Sequence, residues 1–322
     1  MKLFVLFMAA VMAMASNMAV GSETPTLRVA VLKFGTVNWM METVQKNGFD
    51  QAEGYKLETV GLASTSATAS AFQAGDADVR VTDWFWALRQ RGEGKDLRYA
   101  PYSAALGALM TRGISDLCAL GGKTIGVVGG QFDKSWIVYQ ALAREKCNLD
   151  LAGSTEALYG APPLMARQLN AGDLDAVSTF WHWAAKAEAA GHNRLIGVTE
   201  ALAELGIAPA PSLIGYVWDT ARTDPKLIRA FLRSVDSAKA KLASDDAAWE
   251  ALRGRMKPKS EAEFLALRDR FRDGITGPWN DADTAAARGL HALLSKDAPP
   301  AFAETLGTFD PAVFTVPAGD GG

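Results

Sequence analysis

The sequence predicts an α/β protein of two lobes, and two observations lead to this fold class. Short apolar runs such as LRVAVL (27–32) and TIGVV (124–128) precede segments of helical length. Strands that alternate with helices in this way form mostly parallel sheets covered on both faces. The second observation is a repeat, because GDADVRVTDWFW (75–86) and GDLDAVSTFWHW (172–183) share one pattern 97 positions apart. A repeated unit of this kind predicts one lobe for each copy.

The repeat extends beyond these two stretches at the same offset. Val31 corresponds to Val128, and Trp39 corresponds to Trp136. We therefore expect equivalent elements in the two copies. For the first copy these are strands 27–34, 55–62 and 78–82 with a helix at 36–47, a helix ending near Gly75 and a helix opening after Asp83. For the second they are strands 123–129, 154–159 and 175–180 with helices at 135–147 and 163–171.

The amino terminus has the pattern of a secretory signal peptide. A basic Met1-Lys2 precedes an uncharged apolar run at 3–15, and Ala19-Val20-Gly21 offers small residues for cleavage. The run is shorter than the ~20 residues of a membrane span. No cysteine lies near the cleavage site, so we expect no lipid anchor. The pattern predicts export to the periplasm as an unanchored protein.

The remainder of the chain fits two lobes joined by a hinge. Extended segments at 104–112 and 212–218 would cross between the lobes, and the chain from Asp224 onward is helical in pattern. We predict a signal peptide at 1–21, a discontinuous first lobe at 22–108 and 213–322 that includes the C-terminal helices, and a second lobe at 109–212. Two crossings of this kind predict hinge closure around a ligand.

The composition argues against several classes of function. The net charge is −3 and charged residues make up 21% of the chain, so no basic surface for nucleic acid is predicted. The three histidines, His182, His192 and His291, do not stand at metal-ligand spacing. We expect no metal, no cofactor and no catalytic residues. The chain is predicted to be a monomer that binds a small solute.

Six tryptophans fall where predicted strands end and helices begin. Ligands bind at this edge of open α/β sheets. Trp84 and Trp86 stand two positions apart at a helix start, so both cannot face one cleft, and some of the six tryptophans fill gaps between helix and sheet instead.

The chain resembles the type II periplasmic substrate-binding proteins of ABC importers, in particular the nitrate/taurine/sulfonate (NitT/TauT, SsuA-like) and thiamine-pyrimidine-precursor branch. The resemblance rests on LKFGTVNW (32–39), 73–86, GQFDKSW (130–136) and 159–183. It implies capture of a small solute between the lobes and delivery to a membrane permease with its ATPase. A sensor that reports to a membrane receptor is the alternative, and the cysteine cluster of the related pyrimidine synthases is absent.

The predicted cleft has mixed chemistry. Ser64, Thr65 and Ser66 open a helix and suit an oxyanion, or they form a plain cap. Asp83 and Asp133 either cap their own helices or face the cavity, where they would favour a hydrogen-bond donor or a cation. We expect an organic amine or heteroaromatic first, a metal chelate second and a sulfonate third. The predicted ligand-binding residues are Phe34, Thr36, Asn38, Trp39, Ser64, Thr65, Ser66, Thr82, Asp83, Trp84, Phe132, Asp133, Ser135, Trp136, Trp181, His182 and Tyr216.

The two cysteines are predicted to pair. Cys118 precedes a strand of about seven residues, ~23 Å long, and Cys147 ends a helix of 13 residues, ~20 Å long, that returns along it. The two lengths nearly cancel, so both cysteines reach the lobe edge opposite the ligand site. We predict a structural disulfide without a role in binding.

Overall fold

The computed structural model describes residues 24–314, and it confirms the α/β fold class. The predicted signal peptide lies outside the described residues. Two five-stranded sheets are present, with strand orders β2-β1-β3-β10-β4 and β7-β6-β8-β5-β9. The strands are β1 (Thr26–Leu32), β2 (Lys56–Leu62), β3 (Val79–Asp83), β4 (Leu97–Ser103), β5 (Ala108–Thr111), β6 (Thr124–Val128), β7 (Glu156–Gly160), β8 (Ala176–Thr179), β9 (Asn193–Gly197) and β10 (Ile214–Asp219).

Helices cover the sheets. In chain order they are α1 (Val37–Lys46), α2 (Phe49–Ala52), α3 (Thr65–Ala74), α4 (Trp84–Gly92), α5 (Lys134–Cys147), α6 (Leu151–Ser154), α7 (Pro162–Ala171), α8 (Trp181–Ala189), α9 (Val198–Glu204), α10 (Pro225–Ser244), α11 (Asp246–Met256), α12 (Glu261–Asp273), α13 (Asp281–Asp297) and α14 (Pro300–Ala303). We call the first sheet with α1–α4 the first lobe, and the second sheet with α5–α9 the second lobe. No helix within the described range is both long and apolar enough to cross a membrane.

Each sheet contains one antiparallel strand in an otherwise parallel arrangement. In the first sheet β10 runs antiparallel to β3 and β4, and in the second sheet β5 runs antiparallel to β8 and β9. These two strands follow the crossings between the sheets, at 104–107 and at 205–213. The carboxyl ends of the parallel strands therefore share one edge of each sheet, as the sequence predicts.

The repeat at an offset of 97 is confirmed. It relates α3 to α7, the start of β3 to that of β8, and α4 to α8. Gly75 and Gly172 end α3 and α7 with φ of 86° and 89°, a left-handed conformation that glycine adopts without strain. Asp78 Oδ2 then accepts the backbone N–H of Arg28 at 2.8 Å. Asp175 Oδ2 accepts that of Thr124 at 3.0 Å. The Gly-Asp-x-Asp pattern thus ends a helix and fixes the start of the neighbouring strand.

The C-terminal helices contact both lobes. Helices α10 and α11 pack on α1, whereas α12 lies against α8 and α13 against α5. Bidentate hydrogen bonds from Arg270 to Glu188, at 2.9 and 3.1 Å, hold α12 to α8. The backbone N–H of Ala104, in the first crossing, donates to Gly274 O at 2.8 Å. The C-terminal segment therefore braces the hinge as well as the first lobe, and the exact lobe boundaries remain a prediction.

The predicted disulfide is confirmed. Cys118 and Cys147 are bonded, with their Cα atoms 5.2 Å apart. Cys118 lies in a 3₁₀ turn (Leu117–Leu120) before β6, and Cys147 is the last residue of α5. The bond therefore sits at the amino-terminal end of the strands of the second lobe, away from the edge where ligands bind.

Candidate functional site

The carboxyl edges of the two sheets face each other across a cleft, and two contacts join the lobes there. Lys134 Nζ, at the start of α5, lies 3.4 Å from Asp83 Oδ2 at the end of β3. The rings of Trp39 on α1 and Trp181 on α8 meet edge to face, with centroids 5.9 Å apart. By the internal repeat, α1 corresponds to α5 and α4 to α8. The two contacts are therefore related by the same pseudosymmetry.

Four predicted aromatic residues lie in the hydrophobic core. Trp39 is 7% exposed, and its ring centre lies 6.1 Å from that of Trp249 and 6.0 Å from that of Phe271. Trp84, Trp136 and Tyr216 are each at most 1% exposed. Trp84 stacks on Phe85 at 3.7 Å, and Tyr216 packs edge to face on Phe231 at 4.9 Å. These contacts leave Trp84, Trp136 and Tyr216 no surface for a solute in this arrangement of the lobes.

Both predicted acidic anchors cap their own helices. Asp83 Oδ1 accepts the Trp86 N–H at 3.0 Å, and Asp133 Oδ1 accepts the Trp136 N–H at 3.1 Å. Burial would raise the pKa of Asp83, but the Lys134 ammonium and the Trp86 N–H outweigh it and lower the pKa. Burial raises the pKa of Asp133, and the Trp136 N–H offsets this only in part. Asp83 is thus already neutralised by Lys134, a role of Lys134 that the sequence did not reveal.

The predicted polar residues divide into exposed donors and residues that hold turns. Ser64, Thr65 and Ser66 are exposed at the start of α3, where Ser64 Oγ accepts the Ala67 N–H at 3.1 Å. Asn38 is buried, and its amide donates to Leu32 O and Gly35 O, each at 2.8 Å, which fixes the turn between β1 and α1. The half-buried polar residues of the predicted set are Thr36, Thr82, Asp83, Asp133, Ser135 and His182.

His182 follows Trp181 in the first turn of α8. Its Nδ1 atom is buried and has no hydrogen-bond partner among the described residues. Burial, with a smaller contribution from the Lys186 ammonium, lowers the pKa of His182 to about 4. The imidazole is therefore neutral at neutral pH.

Apolar side chains are exposed along the cleft, and we call this set the apolar rim. Each lies at or just after the carboxyl end of a parallel strand, in the first turn of α7, or at the start of the antiparallel β10 beside the end of β3. Phe34 is 92% exposed, and Phe132 stacks on Phe302 of α14 at 5.7 Å. The apolar rim consists of Leu32, Phe34, Phe132, Tyr159, Leu164, Phe180 and Ile214. Only Phe34 and Phe132 of this set were predicted to bind the ligand. For Leu32, Tyr159 and Phe180, the position at the end of a predicted strand was a usable signal.

A cavity of about 250 Å³ lies on the hinge side of Trp181. The first crossing, α8, α9 and the end of α12 line it, and it is open to solvent on one side. Its charged groups are already paired, because Arg194 bonds Glu200 and Arg270 bonds Glu188. Its lining comprises Ala104, Ala105, Leu106, Ala108, Trp181, Ala184, Arg194, Thr199, Glu200, Arg270, Asp273 and Gly274. Trp181 thus separates this cavity from the contact with Trp39.

Neither a family model nor a curated protein sequence matches the chain. Solved structures do resemble it. The periplasmic aliphatic sulphonate binding protein SsuA from Escherichia coli has a TM-score of 0.67 and 16% identity over 92% of this chain and 94% of that one. A ligand-binding component of an ABC-type import system from Staphylococcus aureus, with zinc bound, has a TM-score of 0.63 and 12% identity over 90% of this chain and 98% of that one. The desulfurization enzyme DSZB has a TM-score of 0.58 and 14% identity over 89% of this chain and 97% of that one.

One fold thus serves two kinds of binding protein and an enzyme, so the likeness does not identify the ligand. At these identities it shows the fold, over nine-tenths of the chain. The cleft between paired carboxyl edges, the two crossings and the apolar rim agree with that fold. The chain has the two-lobe α/β fold of periplasmic solute-binding proteins.

Proposed function

We propose that this protein is the periplasmic solute-binding component of an ABC importer, which captures a small molecule between its lobes and delivers it to a membrane permease. The pair of contacts across the cleft is the observation that carries the proposal. Lys134 with Asp83, and Trp39 with Trp181, join residues that stand at the ligand edge of separate sheets. Two lobes that contact each other directly at this edge can also close around a solute between them, with the two crossings as hinges.

Binding rather than catalysis is favoured by the chemistry of the cleft. Both cysteines of the chain are in the disulfide, so no thiol nucleophile is available. The half-buried imidazole of His182 is neutral, and its buried Nδ1 has no carboxylate partner in the described part of the chain. A general base of the kind found in hydrolases needs a group to orient it. The site is therefore better suited to holding a solute than to transforming it.

Native mass spectrometry of the protein purified from its own periplasm tests the proposal. We expect a complex with one retained small molecule, lost on mild denaturation and restored by adding that molecule back. Rebinding should change tryptophan emission, because Trp39 and Trp181 meet across the cleft. Rebinding that leaves the emission unchanged would contradict capture between the lobes.

A separate measurement distinguishes import from sensing. Cells that lack the gene should lose uptake of the retained molecule if the protein serves an importer. A sensor would leave uptake intact and alter only the response of the cell to the molecule.

A further inference from the structure

The cavity on the hinge side of Trp181 is bounded by three parts of the molecule that belong to different units. Ala105 lies in the first crossing between the lobes, Ala184 lies on α8 of the second lobe, and Gly274 caps the end of α12 in the C-terminal segment. The volume of about 250 Å³ has room for roughly eight water molecules, at about 30 Å³ each. A molecule of that size in the cavity would contact parts that move relative to one another when the lobes close.

The charged groups around the cavity carry more negative than positive charge. Arg270 donates to both carboxylate oxygens of Glu188, at 2.9 and 3.1 Å, and its Nη1 donates to Asp273 Oδ2 at 3.4 Å. Arg194 pairs with Glu200, and its Nε lies 3.5 Å from Glu188 Oε1. Two guanidinium groups thus stand against three carboxylates, which leaves a net charge of −1. Both guanidinium groups are engaged by carboxylates, whereas Asp273 accepts one long hydrogen bond and a carboxylate can accept several.

The backbone adds to this negative potential at one wall of the cavity. Helix α12 has 13 residues and ends at Asp273, so its carboxyl-terminal end, which carries a partial negative charge, faces the cavity. Another wall is the start of α9, and there the carboxylate of Glu200 in the first turn offsets the positive end of that short helix. Lys186 on α8 and Glu263 on α12 form their own pair at 3.0 Å. The excess of negative charge at the cavity therefore remains.

Trp181 and a set of small apolar side chains form the rest of the lining. The ring of a tryptophan attracts a cation that lies within about 6 Å of its centre. The small side chains that leave space for methyl or methylene groups are Ala104, Ala105, Ala108 and Ala184. An anion would meet three carboxylates here, and both guanidinium groups are already bonded. The lining therefore fits a small organic cation, whose charge balances the excess carboxylate.

We propose that this cavity is a second binding site, which takes a small organic ammonium ion and is separate from the cleft that captures the solute. The ammonium group lies between Asp273 and the ring of Trp181, and its alkyl groups pack on the alanine side chains. Because the occupant contacts the first crossing, the second lobe and α12, its binding is coupled to the arrangement of the lobes. By reciprocity, solute binding in the cleft changes the affinity for the cation. The inference goes beyond the proposed function and does not depend on which solute the cleft binds.

Choline and its neutral isostere 3,3-dimethylbutan-1-ol test the inference, titrated calorimetrically into the mature protein stripped of solute. The two probes share one shape and differ in the charge of one central atom. The isostere should bind about tenfold more weakly than choline, because it loses the attraction to the ring and to the carboxylate. Asp273→Asn should weaken choline binding about two- to fivefold, the range for an exposed ion pair. Thr199→Phe, at an exposed position in the lining, should fill the cavity and abolish choline binding.

Asp269→Asn is the matched control. Asp269 is an exposed residue of the same helix that bonds Arg268 at 2.8 Å and lies outside the cavity lining. This variant should bind choline as the wild type does, and equal losses in Asp269→Asn and Asp273→Asn would overturn the inference, because only the overall charge would then matter. Absent choline binding, equal binding of the isostere, or wild-type binding by Thr199→Phe would also overturn it. Each of these results leaves the proposed function standing, since that function is tested by the solute retained from the periplasm.

Discussion

Removal of the disulfide should destabilise the protein without affecting its cleft. In the double variant Cys118→Ser/Cys147→Ser the unfolded chain regains the freedom of a loop with a sequence separation of 29. The loop-entropy relation gives about 12 cal/mol/K, or about 3.6 kcal/mol at 25 °C. Cys118 is exposed and Cys147 half-buried, so little packing is lost besides. The free energy of unfolding should therefore fall by nearly the loop term alone.

This loss can be measured as a shift in melting temperature. About 290 structured residues have an unfolding entropy of roughly 0.6 kcal/mol/K, so the shift should be about −6 °C. Circular dichroism melts of the wild type, the wild type with reductant and the double variant make the comparison. The reduced wild type and the variant should melt together, and reductant should not move the variant. A shift below 1 °C would refute the entropic reasoning. Weaker solute binding by the variant would show that the disulfide does affect the cleft.

Three further outcomes concern the cleft. Lys134→Met removes the cation 3.4 Å from Asp83. The pair is part-exposed and worth roughly 1 kcal/mol, so the ratio of closed to open molecules should fall about fivefold. X-ray scattering should then show a larger radius of gyration, and an unchanged profile would contradict this. Trp181→Ala should weaken solute binding by roughly 2–4 kcal/mol in calorimetry, as for a contact residue that the bound solute covers fully; unchanged affinity would remove Trp181 from the site. The pKa of His182 is about 6.5 in the unfolded chain and about 4 in the folded protein, so the unfolded chain takes up the proton first. As pH falls from 6.5 towards 4, the free energy of unfolding should therefore decrease by at most about 3 kcal/mol. His182→Gln should flatten that slope in urea titrations, and an identical slope would contradict the assignment.

The fold was predictable because its signals are local. Strand and helix periods, helix caps and the repeated Gly-Asp-x-Asp pattern all act within a few residues of the chain. The positions of Gly75 and Gly172, which end equivalent helices with the same backbone geometry, follow from sequence alone. The cysteine pairing followed from matching one strand length against one helix length. Each of these inferences requires only the geometry of one supersecondary unit.

The site was less predictable because it depends on how the lobes meet. Lys134 stands beside Asp133 in sequence, yet its ammonium reaches Asp83 in the other lobe. The junction tryptophans share one pattern, but Trp84 is fully buried while Trp181 is only partly so. The C-terminal segment decides which side of a helix start becomes covered, since Phe309 and Phe314 pack on Trp84 and Phe271 packs on Trp181. No local pattern reveals these partners. Ligand contact by the predicted residues therefore stays a prediction.

The internal repeat separates the residues that build the fold from those available for function. Positions that both copies keep have structural roles in both, as Asp78 and Asp175 do when each fixes a neighbouring strand. Positions where the copies differ in chemistry are free of that constraint. The start of α3 and Arg80 differ in this way, because Ala161, Pro162, Pro163 and Val177 stand at the equivalent positions of the second copy. Of the two, only the start of α3 stands at the carboxyl edge of its sheet, since Arg80 is the second residue of β3; the start of α3 is therefore the position that the repeat leaves free and the fold brings to the ligand edge.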